Sequence, residues 1–289
     1  MRARDLAVSL RAFTAERAPV GVVLALSVSL SVGPWALAGG DGPALVRSAV
    51  VVFLSLVVLR IADDLRSLEH DRIASPDRAL SAGRIGATPL AAGAAVLFAA
   101  AALLSAPRMT VGLGLVCAYY AAYYAVVDRI PLPLRPPLVN AAFLAIPPGV
   151  GLLVGDSGAP EAWMLGLFFW LSAVGHDYAH EVHGLAEARP GVMTCSRRLG
   201  SRLTAGVGAA CYAGAFVAGL LAARGAHALG GWPPPFMAGL IILFGYVGVR
   251  LAGLIARPCR ARARRLYVSG IACFAVPSLL LGLDRLLGW

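Results

Sequence analysis

Lysine is missing from this chain, and all 25 of its basic residues are arginines. Charge of either sign is scarce: 14% of the 289 residues are charged, 59% are hydrophobic, and mean hydropathy is +0.77. That combination excludes an ordinary soluble domain of this size and points to an integral membrane protein. No CxxC spacing occurs among Cys117, Cys195, Cys211, Cys259 and Cys273. A thiolate metal site and a disulfide framework are therefore not indicated, and these cysteines read as packing residues. Repeats and low-complexity linkers are also missing, so one membrane domain over residues 1–289 is expected.

What the chain does have is a series of apolar runs of bilayer-spanning length, roughly 17 to 25 residues each. They fall at 19–38, 44–61, 86–106, 110–127, 138–154, 163–174, 203–223, 236–256 and 266–287, which predicts nine transmembrane helices. The sixth is short, so its end is expected inside protein or a water-filled space rather than in lipid. Ala36, Leu37 and Ala38 imitate a secretory cleavage site. The apolar run before them is roughly twice the length of a signal core, however, and the segment reads as the first helix.

Orientation follows from the arginines, because short cytoplasmic loops collect basic residues. With the N-terminus inside, Arg47, Arg108, Arg224 and Arg285 fall outside and every other arginine falls inside. An N-in, C-out chain in a bacterial cell membrane is expected. The net charge of +10 then belongs mostly to one face, where it serves topology and attraction to anionic lipid headgroups. The basic run at 257–265 reads as such an anchor. Nucleic acid is not an expected partner, since the arginines are divided among loops with no soluble domain to present them.

Against this apolar background, residues 60–85 carry five arginines and five acids. If the second span continues as a helix past its apolar boundary, Arg60, Asp64, Ser67 and Asp71 share one face, with Asp63 close to the same stripe. Carboxylates on one stripe repel unless a cation lies between them. Oxygen-only ligands suit Mg²⁺, which completes its shell with water and substrate phosphate. Arg72, Arg78 and Arg84 offer planar forks for phosphate oxygens. A solvated helix end with internal ion pairs, such as Asp64 with Arg60, explains the same residues equally well.

The stretch resembles the first aspartate-rich motif of the UbiA-type intramembrane prenyltransferases, NDxxDxxxD followed by a PDRPLPSGRI-like tail. Residues 76–85, PDRALSAGRI, carry that tail here. The alignment sets Asp63 at the family's Asn, Asp64 at its first Asp and Asp71 at its last, with Ser67 replacing the middle Asp. A branch of the family with an RxxDE-x-KD-x-E-x-D form resembles the segment from Arg60 to Asp71 still better, apart from the same serine.

The family carries a second acidic motif after its sixth helix. In this chain Asp177 and Glu181 lie four apart on one helix face, and Glu187 falls where the family's last Asp is expected. The segment from Arg189 to Gly200 resembles the AGIRTLPVLLG-like ending of that motif. The family's DxxD positions fall nearest His180 and His183 unless a small insertion brings Asp177 and Glu181 into register. Both acidic clusters follow out-to-in helices, so both should emerge on the cytoplasmic side, where two Mg²⁺ ions could hold one diphosphate between them. His176, His180 and His183 also share a face, and HExH at 180–183 is one residue short of a zinc-protease motif. They read better as groups around a substrate.

The resemblance implies nine helices around a central cavity with a cytoplasmic active site. It implies Mg²⁺-dependent transfer of an isoprenyl group from a prenyl diphosphate to a hydrophobic, aromatic acceptor. Asp64, Asp71, Asp177 and Glu181 would be catalytic and, with Glu187, bind metal. Arg60, Asp63, Ser67, Arg72, Arg78, Arg84, His180 and Arg198 would contact substrate. Tyr119, Tyr120, Tyr123 and Tyr124 near the inner end of the fourth span are either an interfacial belt or the lining of a cavity that stabilises an allylic cation. Asn140 is a polar group in an apolar helix and is expected to face inward. Asp128 and Arg129 read as a local ion pair. An intramembrane terpene cyclase on the same scaffold, and a transporter or lipid-binding membrane protein, are the alternatives.

Overall fold

The computed structural model describes residues 3–155, 160–184, 193–227 and 234–287. Every regular element among them is a helix. In chain order they are α1 (Ala3–Arg17), α2 (Val20–Leu37), α3 (Gly42–Arg66), α4 (Leu68–Ala74), α5 (Ala87–Leu104), α6 (Pro107–Val126), α7 (Arg135–Val139), α8 (Ala142–Val154), α9 (Pro160–Gly184), α10 (Cys195–Leu199), α11 (Ser201–His227), α12 (Pro234–Ala256) and α13 (Arg260–Leu287).

Eight stretches among the described residues are helical, long and apolar enough to cross a membrane; one of them, Leu132–Val154, is built from α7 and α8 in series. The remaining expected span, the sixth, corresponds to α9. It runs well beyond the apolar core at 163–174, because Asp177 and Glu181 continue the helix instead of ending it. At about 1.5 Å per residue its 25 residues are long enough to cross. Its polar end is packed inside protein, with Tyr178, Ala179 and Val182 buried.

In lipid there is little hydrophobic drive between helices, so close packing has to hold them. The tightest example is α9 against α11. A Cβ on Gly175 would sit 2.9 Å from the Tyr212 ring and 3.1 Å from the Gly208 carbonyl, while a Cβ on Gly208 would sit 3.3 Å from the Gly175 carbonyl. These two glycines let the backbones meet, which sets the rotation of α9 just before Asp177. Around the contact, Leu30, Phe168, Phe169, Phe236, Leu240 and Leu266 form the main core of α2, α9, α11, α12 and α13. A second cluster joins α1, α3, α5 and the 75–86 segment through Phe13, Val57, Ile61, Leu80 and Leu90.

Polar groups inside the bundle are satisfied locally where the chain allows it. Ser27 and Ser29 donate to the carbonyls four residues back in α2, and Asp41 caps α3 by accepting from the Ala44 amide at 2.8 Å.

Candidate functional site

The first acidic cluster does not lie on one continuous helix. The chain breaks at Ser67 between α3 and α4, and the Asp71 amide starts the new turn by donating to the Ser67 carbonyl. Asp63 and Asp64 therefore leave the end of α3 in different directions, and Asp71 comes from α4.

Asp64, expected at the cation, has both carboxylate oxygens on arginine. Arg17 of α1 donates to it from Nε at 2.7 Å and from Nη2 at 2.9 Å, and Arg60 Nη2 lies 3.0 Å away. Its side chain is only 5% exposed. Asp63 is 40% exposed, meets Arg60 at 3.4 Å and accepts from the Tyr124 hydroxyl at 3.4 Å. Asp71 is paired through Oδ2 with Arg78 at 2.5 Å, and the Ser67 hydroxyl lies 3.4 Å from the same oxygen.

Two of the three arginines expected at phosphate are engaged elsewhere. Arg72 pairs with exposed Glu69 at 2.7 Å, and Arg84 donates to the Asp77 carbonyl at 2.5 Å. The tail that follows is a tight turn, in which Gly83 takes φ +70° and lets the Arg84 amide reach the Ala79 carbonyl at 2.9 Å.

The second cluster is organised by a broken helix. Prolines 131, 133, 136 and 137 prevent a continuous helix before Asn140. Side chains from α6 and α9 hold carbonyls of this segment. Tyr119 donates to the Leu138 carbonyl at 2.9 Å and Tyr120 to that of Val139 at 2.5 Å. Trp170 donates to the Pro137 carbonyl and Tyr178 to that of Pro133. The arrangement fixes Asn140, the only asparagine in the chain, at the C-cap of α7. Its Nδ2 donates to the Pro136 carbonyl at 2.9 Å and to Asp177 Oδ2 at 2.6 Å.

Glu181 is half-buried and accepts from the Cys195 amide at 3.1 Å, where α10 begins. The Cys195 thiol reaches the Leu132 carbonyl at 3.3 Å. Burial first, and the nearby Glu181 charge second, push that thiol up to about 11, so it is neutral at ordinary pH. His180 is exposed at the end of α9. Glu187 and the 189–192 part of the motif tail lie outside the described residues, as does the side chain of His183.

The two clusters are linked through α6: Tyr124 donates to Asp63, and Tyr119 and Tyr120, on the preceding turn, donate to the carbonyls of Leu138 and Val139 beside Asn140, which holds Asp177. Tyr123 lies within electrostatic range of both carboxylates and of Arg135. Beside it the Tyr119 ring is stacked nearly parallel, at 6.4 Å and 7°, while Tyr120 stands edge-on.

Arg135 in turn lines an open chamber of about 730 Å³ with His70, Asp128, Arg129, Met193 and Arg198. Asp128 is paired with Arg66 at 2.5 Å, not with its neighbour Arg129. Sequence reasoning gave no site role to Arg17, Arg129 or Arg135. The proline-rich loop around Arg135 was the available signal for that residue. Arg17 had none, because its partner lies 47 positions away.

Comparisons with known proteins come to the same scaffold. The sequence model of the UbiA prenyltransferase family matches residues 18–276. No curated protein matches the chain. Among the solved structures that share its fold are the following two. One comes from work on digeranylgeranylglyceryl phosphate synthase in membranes; it is 16% identical, with a TM-score of 0.69, and the match covers 96% of this chain and 98% of that one. The other is the apo structure of a UbiA homolog from Aeropyrum pernix K1, 17% identical with a TM-score of 0.68, matched over 92% of this chain and 97% of that one.

Proposed function

Because this chain belongs to the UbiA prenyltransferase family, we propose that it transfers an isoprenyl group from a prenyl diphosphate to a lipophilic, aromatic acceptor inside the membrane. The reading treats residues 1–289 as one domain, counts α9 as a ninth span and places the site on the cytoplasmic side of an N-in, C-out bacterial membrane protein. Nothing in the comparisons favours the cyclase alternative.

The observation that supports the proposal is that one helix, α6, ties both acidic clusters together: Tyr124 donates to Asp63, and Tyr119 and Tyr120 donate to the carbonyls just before Asn140, which holds Asp177. Carboxylates gathered at one place repel, and a divalent cation held among them would offset that repulsion. Among the described residues no three His, Cys, Asp or Glu side chains form a ready-made metal site. Mg²⁺ does not need one, since it is held by one or two carboxylates together with water and substrate phosphates. Asp63 and Asp177 fit that requirement, with Asp71 and Glu181 flanking them. Asp64 does not fit, because guanidinium groups occupy both of its oxygens.

When bound, Mg²⁺ supplies positive charge to a leaving diphosphate. The chain's own groups do the rest. Arg129, Arg135 and Arg198 of the open chamber fork the diphosphate oxygens. The C–O bond of the prenyl diphosphate breaks with its electron pair leaving on the diphosphate. The allylic cation is held against the faces of Tyr119 and Tyr123 until the acceptor attacks it and loses a proton. Asn140 holds the Asp177 carboxylate in place through its amide.

The test uses the purified full chain in bilayers with Mg²⁺, a prenyl diphosphate and a phenolic acceptor. Diphosphate release that requires both Mg²⁺ and acceptor, with one prenylated product formed per diphosphate, is expected. Release of a cyclised hydrocarbon without acceptor, or no release at all, would contradict the proposal.

A further inference from the structure

Helix α1 precedes the first span, yet its last two residues hold the first acidic cluster from two sides. Arg17 grips Asp64 with a two-point fork at 2.7 and 2.9 Å. Glu16 accepts from the Ala79 amide at 2.9 Å, on the segment whose preceding residue, Arg78, pairs with Asp71. The helix itself is firmly seated. Phe13 is fully buried between α3 and the 75–86 segment, and Leu10 fills the space over Gly93 of α5 so closely that a Cβ there would lie 2.7 Å from it.

Asp64 and Asp63 are chain neighbours on the last turn of α3, and Asp71 lies one short helix beyond. Three carboxylates within so short a span compete for any cation that approaches. A buried carboxylate locked by a bidentate guanidinium is withdrawn from that competition, and the turn that bears it is fixed in orientation. Arg60, which touches both Asp63 and Asp64, does not by itself achieve this, since it divides its contacts between them.

We propose that Arg17, aided by Glu16, is a positioning residue that keeps Asp64 out of the cation site and leaves Asp63 as the carboxylate of α3 that is open to a cation. The inference rests on the prenyltransferase reading above and adds to it a role for the N-terminal helix. It makes an unusual demand on mutants. Freeing Asp64 adds a negative charge beside the site, so a divalent cation should bind more tightly while the chemistry becomes slower. Removing the Asp64 charge together with Arg17 should restore both. A loosened fold would weaken binding and turnover together, and an arginine that touched the diphosphate directly would not be rescued by a change at Asp64.

The experiment compares the full chain with Arg17→Gln, and with Arg17→Gln combined with Asp64→Asn, in lipid nanodiscs. Mn²⁺ binding is read by electron paramagnetic resonance without substrate, and turnover of a prenyl diphosphate is read at saturating Mg²⁺. Arg17→Gln is expected to bind Mn²⁺ about tenfold more tightly and to turn over about 10- to 100-fold more slowly. The double variant is expected to return to within about twofold of the parent in both.

Mn²⁺ binding by Arg17→Gln that is unchanged or weaker, or a double variant as slow as the single, overturns the inference and leaves the prenyltransferase reading intact. A parent that binds no Mn²⁺ overturns that reading, and the inference falls with it. If Arg17→Gln does not fold, the double variant decides alone: parent-like binding and turnover support positioning, and folded protein without turnover overturns it.

Discussion

Asn140 shows how a single side chain carries information between distant parts of this chain. Its amide joins a proline-broken helix to Asp177 and makes both contacts from one nitrogen. Alanine at this position leaves Asp177 without its 2.6 Å donor and free to turn. Turnover is expected to fall about 10- to 100-fold, the usual effect of losing a group that orients a ligand, with the thermal unfolding midpoint nearly unchanged. Parent-like turnover would show that Asp177 is oriented by something else.

A polar residue in an apolar span, Asn140 is expected to face inward. The partner was not legible, since nothing local specifies which of several acids it meets. The same holds for Asp63 and Asp64. They are adjacent on a helix, about 100° apart, and only the arrival of Arg17 from another helix decides which one is withdrawn.

At the scale of elements, the spans were readable from apolar length, while the breaks and extensions were not. Ser67 ends α3 where periodicity continued it, and α9 continues for ten residues past the apolar run expected to be the sixth span. Hydropathy sees side chains, whereas these boundaries depend on where backbone groups find partners. The carbonyls of the 130–139 segment are an example, being satisfied by Tyr119, Tyr120, Trp170 and Tyr178 from two other helices.

The α9 and α11 contact offers a direct test of element packing. Leucine at Gly175 has to displace the Tyr212 ring and the Gly208 backbone. It should destabilise the bundle by about 1–3 kcal/mol or more, read as a lower unfolding midpoint, and it should reduce activity because Asp177 follows two positions later. An unchanged midpoint would mean that the helices do not meet through these glycines.

For the molecule as a whole, the charged residues of the site come from several elements of an otherwise apolar bundle. The first cluster comes from the end of α3 and from α4, the second from α9, and the chamber arginines from the 127–135 segment and α10. Composition, basic loops and the two motif tails made the class of protein readable before any coordinate. The convergence was not, because it depends on helix rotation set by glycine contacts and on a break set by prolines.

The central claim is that Asp63 and Asp177 share one divalent ion, and the most direct measurement is Mg²⁺-dependent diphosphate release by Asp63→Asn, Asp177→Asn and the double variant. Each single change is expected to lower turnover by about 100-fold or more, and the double should be no slower than the singles, because all three lose the same ion. Near-normal release by Asp177→Asn, or losses that multiply in the double variant, would contradict the account.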